Sequence, residues 1–416
     1  MSETASTPPA GAAPAPAVPA ADPTADPTAA APAAVPAASS ADAPAGTRKT
    51  RVALLFGGRS GEHAVSAATA AGVLRAIDRE KYDVVPVGIT RDGRWVVAAD
   101  EPQRWDIAAG RLPEVTAESG GEVVLSLTSG ERTLRVVEAG RVPDVLGQVD
   151  VVFPLLHGPF GEDGTLQGLL ELADVHYVGA GVLASAVGMD KHFMKLVLAG
   201  QGLPVGPYTV IRPQDWDHRR AACLGAVEAL GLPVFVKPAR AGSSLGITRV
   251  DDLADLPAAV EEARRHDPKV VVEAGIEGRE IECAVLGGRD GQPPRASLPG
   301  EIVVDRTTHA FYDFEAKYLD EAHVDLRCPA DLPEHVIEEV RRLAVRTFEA
   351  VGAEGLSRVD VFVTPDEQVV VNEINTMPGF TPFSMYPRMW AASGLAYPDL
   401  VDELIQLALE RPTGLR

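Results

Sequence analysis

The chain has 416 residues, a formal net charge of −21 and 46% hydrophobic residues. That length accommodates two to three domains with a substantial core, and the acidity disfavours sequence-independent binding to nucleic acid or an anionic lipid surface. No apolar run approaches the ~20 residues of a membrane helix, the N-terminus lacks the basic and apolar segments of a secretory signal, and Cys223, Cys283 and Cys328 are too widely spaced for a CxxC pair, which fits a reducing cytoplasm.

Residues 1–46 hold 19 Ala and 10 Pro and only four charges, Glu3, Asp22, Asp26 and Asp42. Such a segment cannot bury enough surface to offset its ordering entropy, so a disordered tail is expected. The rest alternates strands and helices. Val52–Phe56 reads as a strand that ends at Gly57-Gly58, followed by a helix over His63–Ile77, strands at Tyr82–Ile89 and Asp150–Leu155, and a helix over Gly164–Ala173. Strand-glycine-helix alternation predicts a parallel sheet with crossovers, hence an α/β first domain. Residues 91–147, with short β-like runs at Glu122–Leu127 and Thr133–Glu138, read as a hairpin excursion from it.

One long helix is predicted over Leu183–Gly200. Strands at Tyr208–Ile211, Val234–Lys237, Gly246–Val250 and Val270–Glu273, with helices at Ala222–Leu230 and Leu256–Arg265, predict an α+β block. Beyond a strand at Glu280–Leu286 comes a loop, Asp305–Ala322, rich in aromatics and charge. A helix over Glu334–Ala350 then leads to strands at Ser357–Val363 and Gln368–Glu373.

Four places could carry chemistry. After the first strand, Gly57-Gly58-Arg59-Ser60-Gly61-Glu62-His63 allows a tight turn into a helix start that favours an anion. It lacks the GxGxxG spacing of a dinucleotide site, and taken alone it reads as ordinary strand-to-helix packing. Glu62 there is either a helix cap or a ligand for a substrate ammonium. His157-Gly158-Pro159-Phe160-Gly161-Glu162-Asp163-Gly164 follows a strand, where an α/β sheet places its ligands. The alternative is a turn capped by Asp163, with His157 a satisfied structural histidine. Lys237 ends a strand before the Gly/Ser loop 239–246, whose small residues could wrap phosphate oxygens around the lysine's charge. An ordinary hairpin turn explains it equally well. Arg358 and Asp360 share one strand face, and Glu373 and Asn375 share another. If those strands pair, three oxygen donors converge in a set suited to Mg²⁺; otherwise they are solvated hairpin faces.

Together the motifs are far more specific. The sequence resembles the D-alanine–D-alanine ligases of the ATP-grasp superfamily through GGRSGEHAVS at 57–66, HGPFGEDGTLQG at 157–168, MDK at 189–191, VKPARAGSSLGI at 236–247, FYDFEAKY at 311–318, SRVDVF at 357–362 and NEINTMPGFTPFS at 372–384. These span 51–416 in family order and leave the tail outside. The resemblance implies an α/β, three-domain ATP-grasp fold: an N-terminal Rossmann-like substrate domain over 50–180, a central domain over 181–273 and a C-terminal catalytic domain over 274–416.

By motif position, the resemblance makes Lys191 and Lys237 phosphate contacts, with Ser243 and Ser244 in a mobile glycine-rich loop and Lys317 a loop lysine that meets phosphate on closure. Glu273 and Ile276 fall in the adenine hinge and Glu280 at the ribose; the family often has a bulky hinge residue where this chain has Gly275. Asp360, Glu373 and Asn375 match the ligands of two Mg²⁺ ions, with Mn²⁺ an alternative. Glu62, with His157 nearby, matches the receptor of the first D-alanine's ammonium. Ser243 and Tyr318 match its partners in closing the site. Arg358 and Gly379 match oxyanion stabilisers, and Ser384 and Met385 the contacts to the second carboxylate. The presence of Tyr318 favours an amine over a hydroxy-acid second substrate. The implied reaction is ATP-dependent ligation of two D-alanines through an acyl phosphate, for peptidoglycan synthesis, in a cytoplasmic homodimer with no nucleic-acid or membrane partner. Other carboxylate–amine or depsipeptide ligases are the nearest alternatives. A non-catalytic nucleotide binder would not need the whole metal and oxyanion set, and a nicotinamide oxidoreductase would need the missing glycine fingerprint.

Overall fold

Apolar runs set between glycines and turn residues build three sheets. The computed structural model describes residues 48–107, 111–137, 142, 144–304 and 324–414. The tail, the loop 305–323 and with it Lys317 and Tyr318 lie outside the described residues.

The first sheet contains β1 (Thr50–Gly57), β2 (Tyr82–Ile89), β3 (Trp95–Val97), β4 (Glu122–Leu125), β5 (Thr133–Val137), β6 (Asp144–Gln148), β7 (Val151–Pro154) and β8 (His176–Tyr177), in the order β6-β5-β4-β3-β2-β1-β7-β8. β1 pairs in parallel with both β2 and β7, and β7 with β8. The expected excursion is an antiparallel meander, β3 to β6, that extends the same sheet. Pairing consumes the backbone groups that a free-standing hairpin would leave at an edge. Helix α1 (His63–Ala76) covers one face; α2 (Thr165–Leu172) joins β7 to β8.

Next come α3 (Val182–Met189) and α4 (Lys191–Gly200), then β9 (Tyr208–Ile211), α5 (Pro213–His218), α6 (Arg220–Glu228), β10 (Val234–Pro238), β11 (Thr248–Val250), α7 (Leu256–Arg264) and β12 (Val270–Ala274). The four strands form an antiparallel sheet ordered β11-β10-β12-β9. The single helix expected over 183–200 is two. Asp190 adopts extended backbone angles, and its carboxylate accepts from the His192 and Phe193 amides at 3.1 and 3.3 Å, so it caps a new helix. Its other oxygen takes the Lys269 ammonium. Apolar periodicity runs through the break because both helices bury one face. Ala184, Met194 and Leu198 sit in one core with Cys283, Val340 and Val359.

The third sheet holds β13 (Arg279–Leu286), β14 (Arg295–Ala296), β15 (Gly300–Val304), β16 (Val324–Arg327), β17 (Leu356–Val363) and β18 (Val369–Asn375). Helix α8 (Glu334–Ala350) precedes β17, and α9 (Met385–Ala392) and α10 (Tyr397–Glu410) end the chain. Its order is β16-β15-β13-β17-β18, with β14 on β13. β14 to β16 and α5, α9 and α10 were not expected. α9 and α10 return to the first sheet, where Tyr386, Trp390, Leu400 and Leu404 share a core with Leu54, Phe56, Ala70 and Phe153. Cys223 and Cys283 are buried and Cys328 partly so, all three as free thiols. Among the described residues no helix is long and apolar enough to cross a membrane.

Asp190→Ala should destabilise the chain by about 1–2 kcal/mol, because a cap is lost and Lys269 loses its partner. Asp190→Asn should recover the capping share only. Denaturant unfolding of both variants measures the difference.

Candidate active site

Because β1 and β7 are parallel neighbours, their following loops leave the same sheet edge side by side. The β1 loop carries Glu62 and the β7 loop carries His157 and Gly158. Glu62 occupies the N-cap position of α1, but its side chain makes no capping bond. It instead accepts the Ser243 hydroxyl from the β10–β11 loop. Gly158, at φ +73°, passes so close that a Cβ there would lie 3.1 Å from Glu62 Oε2, so a side chain would displace the carboxylate.

His157 is buried, and its Nδ1 donates to the Met377 carbonyl at 3.1 Å. Burial holds the ring below histidine's ordinary range, opposed by Glu62. The neutral ring therefore leaves Nε2 as an acceptor, and that buried atom has no hydrogen-bond partner among the described residues. His63, by contrast, is satisfied on both sides, by Gly58 O at 2.7 Å and the Val115 amide at 2.9 Å.

Three charge clusters line the junction of the sheets. Lys191, the first residue of α4, pairs with Glu373 at 3.1 Å and donates to Ala241 O at 3.2 Å. Lys237 pairs with Glu273 at 2.6 Å, and the second oxygen of Glu273 meets Lys195 at 3.0 Å. Arg358 lies against Asp360 at 2.6 and 2.7 Å and Glu282 at 3.2 Å. Burial pushes Glu273 and Glu373 up, but their lysines more than offset it. Glu273 is drawn to about 2, and Glu373 is likewise held well below the ordinary range by Lys191 and Lys237.

β17 and β18 pair as the hard-oxygen set requires, with Asp360 opposite Glu373 and Arg358 opposite Asn375. Asn375 Nδ2 lies 3.0 Å from Asp360 Oδ2. The register slips by one residue beyond Asp360 and leaves Asn372 extra on β18. Such bulges re-aim side chains beside functional sites. Among the described residues no three His, Cys, Asp or Glu side chains form a metal cluster. The available set is two carboxylates and an amide, which fits a hard divalent ion completed by other oxygen ligands.

Ser243 and Ser244 both have positive φ, +48° and +58°, in the loop that touches Glu62. Ile276 packs beside Gly206, and Glu280 is exposed at the start of β13. Gly275 sits where a Cβ would meet the Pro233 carbonyl at 2.9 Å, so the hinge approaches β10 too closely for a larger residue. Gly379 is half-buried in the loop after β18. Ser384 caps α9 by position while its hydroxyl bonds the Thr381 amide at 3.1 Å and hydroxyl at 2.7 Å, and Met385 is buried.

Lys195 and Glu282 were not anticipated, and Glu162 lay in a candidate loop without a role of its own. Lys195 follows Lys191 by one helical turn, a spacing that could have flagged it. Glu282 is visible only through strand pairing, opposite Asp360 on β17. Glu162 accepts the Gly158 amide at 2.5 Å, and burial, aided by Glu62, raises it from 4.5 to about 8.

Residues 51–180 match the family model described as D-ala D-ala ligase N-terminus, and 197–406 that of the D-ala D-ala ligase C-terminus. The chain is 62% identical over 373 residues to the D-alanine--D-alanine ligase of Pseudarthrobacter chlorophenolicus, covering 90% of this chain and 97% of that one. It is 64% identical over 374 residues to that of Kineococcus radiotolerans, covering 88% and 99%. Among solved structures, the D-alanine-D-alanine ligase from Coxiella burnetii superposes with a TM-score of 0.73 at 37% identity, covering 87% and 94%. VanG D-Ala:D-Ser ligase from Enterococcus faecalis gives 0.74 at 35%, covering 87% and 100%.

A carboxyl whose folded value is raised contributes stability that is fully present below 4.5 and lost as pH rises through about 8. Glu162→Gln should therefore gain thermal stability relative to the parent chain across that window, as pH-dependent melting would record.

Proposed function

The chain belongs to the D-alanine–D-alanine ligase family, and from that premise we propose that its cleft joins two D-alanine molecules at the expense of ATP, yielding D-alanyl-D-alanine, ADP and phosphate for peptidoglycan synthesis. The observation that carries this reading is the Ser243 hydroxyl on Glu62. It brings the phosphate-type loop after Lys237 against the carboxylate that would receive an ammonium.

A carboxylate is a poor electrophile and must be activated. A carboxylate oxygen of the first D-alanine attacks the γ-phosphorus, the bond to the β-bridging oxygen breaks, and ADP departs. Glu62 and the free Nε2 of His157 hold that amino acid's ammonium. Lys191 and Lys237 offset charge on the phosphates, with Ser243, Ser244 and Lys317 covering them. Glu273, Ile276 and Glu280 face the nucleoside. The amine of the second D-alanine, its carboxylate held at Ser384 and Met385, attacks the acyl carbon. Arg358 and the Gly379 amide stabilise the oxyanion. The nitrogen gives up a proton to the departing phosphate as the bond between the acyl carbon and the phosphate oxygen breaks. Water must be kept from the acyl phosphate, which it would hydrolyse, and the resemblance makes Ser243 and Tyr318 the partners of Glu62 in closing the site.

The family's ATP chemistry uses Mg²⁺ or Mn²⁺; Asp360, Glu373 and Asn375 would hold two such ions, which supply charge neutralisation at the transferring phosphoryl group. The same family reading partitions the fold into a Rossmann-like substrate domain over 50–180, a central domain over 181–273 and a catalytic domain over 274–416. The homodimer and the cytoplasmic location rest on it too.

The likeness to a D-Ala:D-Ser ligase makes the second substrate the point to test. Purified protein with ATP and Mg²⁺, offered D-alanine against D-serine and D-lactate, should release the D-alanine dipeptide as its main product; ATP turnover without amide formation would refute the reading. Glu373→Gln should lower turnover by roughly 100-fold or more. Near-normal activity at ordinary Mg²⁺ would remove Glu373 from the metal site.

A further inference from the structure

We infer that Lys195 is a positioning residue for the nucleotide's phosphates, acting through Glu273 on Lys237. The inference rests on the ligase reading and deepens it.

Lys191 and Lys195 are one turn apart on α4 and so share a face. Lys191 reaches into the third sheet at Glu373; Lys195 reaches into the second at Glu273. The Lys195 side chain is only 3% exposed, and its ammonium lies 5.7 Å from the Tyr208 ring centroid on the neighbouring strand. Its neighbours on the helix, Met194 and Leu198, are apolar and fully buried. A packing role there would be met at lower cost by another apolar residue, because burying an ammonium carries a large desolvation penalty.

The arrangement around Glu273 supplies the compensation. Its two oxygens are divided between two ammonium groups, at 2.6 Å for Lys237 and 3.0 Å for Lys195. A lone Glu273–Lys237 pair would be neutral and would hold the lysine against an incoming polyanion. With Lys195 satisfying the second oxygen, the trio keeps one positive charge in surplus, which Lys237 can present to phosphate. Burial pulls the Lys195 ammonium below its ordinary range and Glu273 opposes that shift, so the lysine's charge and the carboxylate's charge support each other.

Steady-state kinetics test this. Lys195→Met should raise the KM for ATP about tenfold or more while the KM for D-alanine stays within about twofold. Lys195→Arg keeps the single surplus charge and should leave the ATP KM near the parent value. An unchanged ATP KM in the methionine variant, or a rise of about tenfold in the arginine variant, overturns the inference. Should the methionine variant fail to fold, Lys195→Arg decides: an ATP KM near the parent value supports the charge-based role, and about a tenfold rise overturns it. Parent enzyme that releases no ADP with D-alanine would refute the ligase reading itself; the variant ratios, taken with an active parent, bear on Lys195 alone.

Discussion

Mutual neutralisation of buried charge governs this cleft. Lys191 with Glu373, Lys237 and Lys195 with Glu273, and Arg358 with Asp360 and Glu282 are all largely withdrawn from water. Any one of these groups without its partner would cost several kcal/mol. The pairs also fix where each charge stands before ligands arrive, so their reorganisation does not burden the chemistry. Under the proposed reading, a polyphosphate and hard cations would replace those partners in kind: anion for carboxylate, cation for ammonium.

The three sheets exist to hold these pairs in register. Each contributes a different kind of part. The parallel edge of the first supplies the loops with Glu62 and His157. The antiparallel second sheet supplies Lys237 and Glu273 on adjacent strands. The third supplies the Arg358, Asp360, Glu373 and Asn375 face. Helix α4 ties the last two together, one lysine to each. The return of α9 and α10 to the first sheet closes the arrangement, because the loop after β18 must then pass His157, whose ring bonds Met377.

Motifs far apart in the chain meet among the described residues, as Glu62 does with Ser243 and Lys191 with Glu373, and the β17–β18 faces follow from alternation alone. Element types were legible wherever periodicity was strong, as in Tyr82–Ile89, Tyr208–Ile211 and Glu334–Ala350, whose bounds agree with the structure. Failures have identifiable causes. The break at Asp190 hides under a continuous apolar stripe. β14 to β16 are short strands whose identity depends on their partners, and α9 and α10 are helices whose apolar faces answer to a distant sheet.

Local order determined the strand-glycine-helix alternation, the turn chemistry and the residue types able to bind phosphate, ammonium and hard cations, because each depends on neighbours within a few positions. Tertiary structure alone decided that Lys195 shares Glu273 with Lys237 and that Glu282 flanks Arg358. Those choices depend on electrostatic partners far away along the chain, and only the packed sheets bring them within a hydrogen bond of one another.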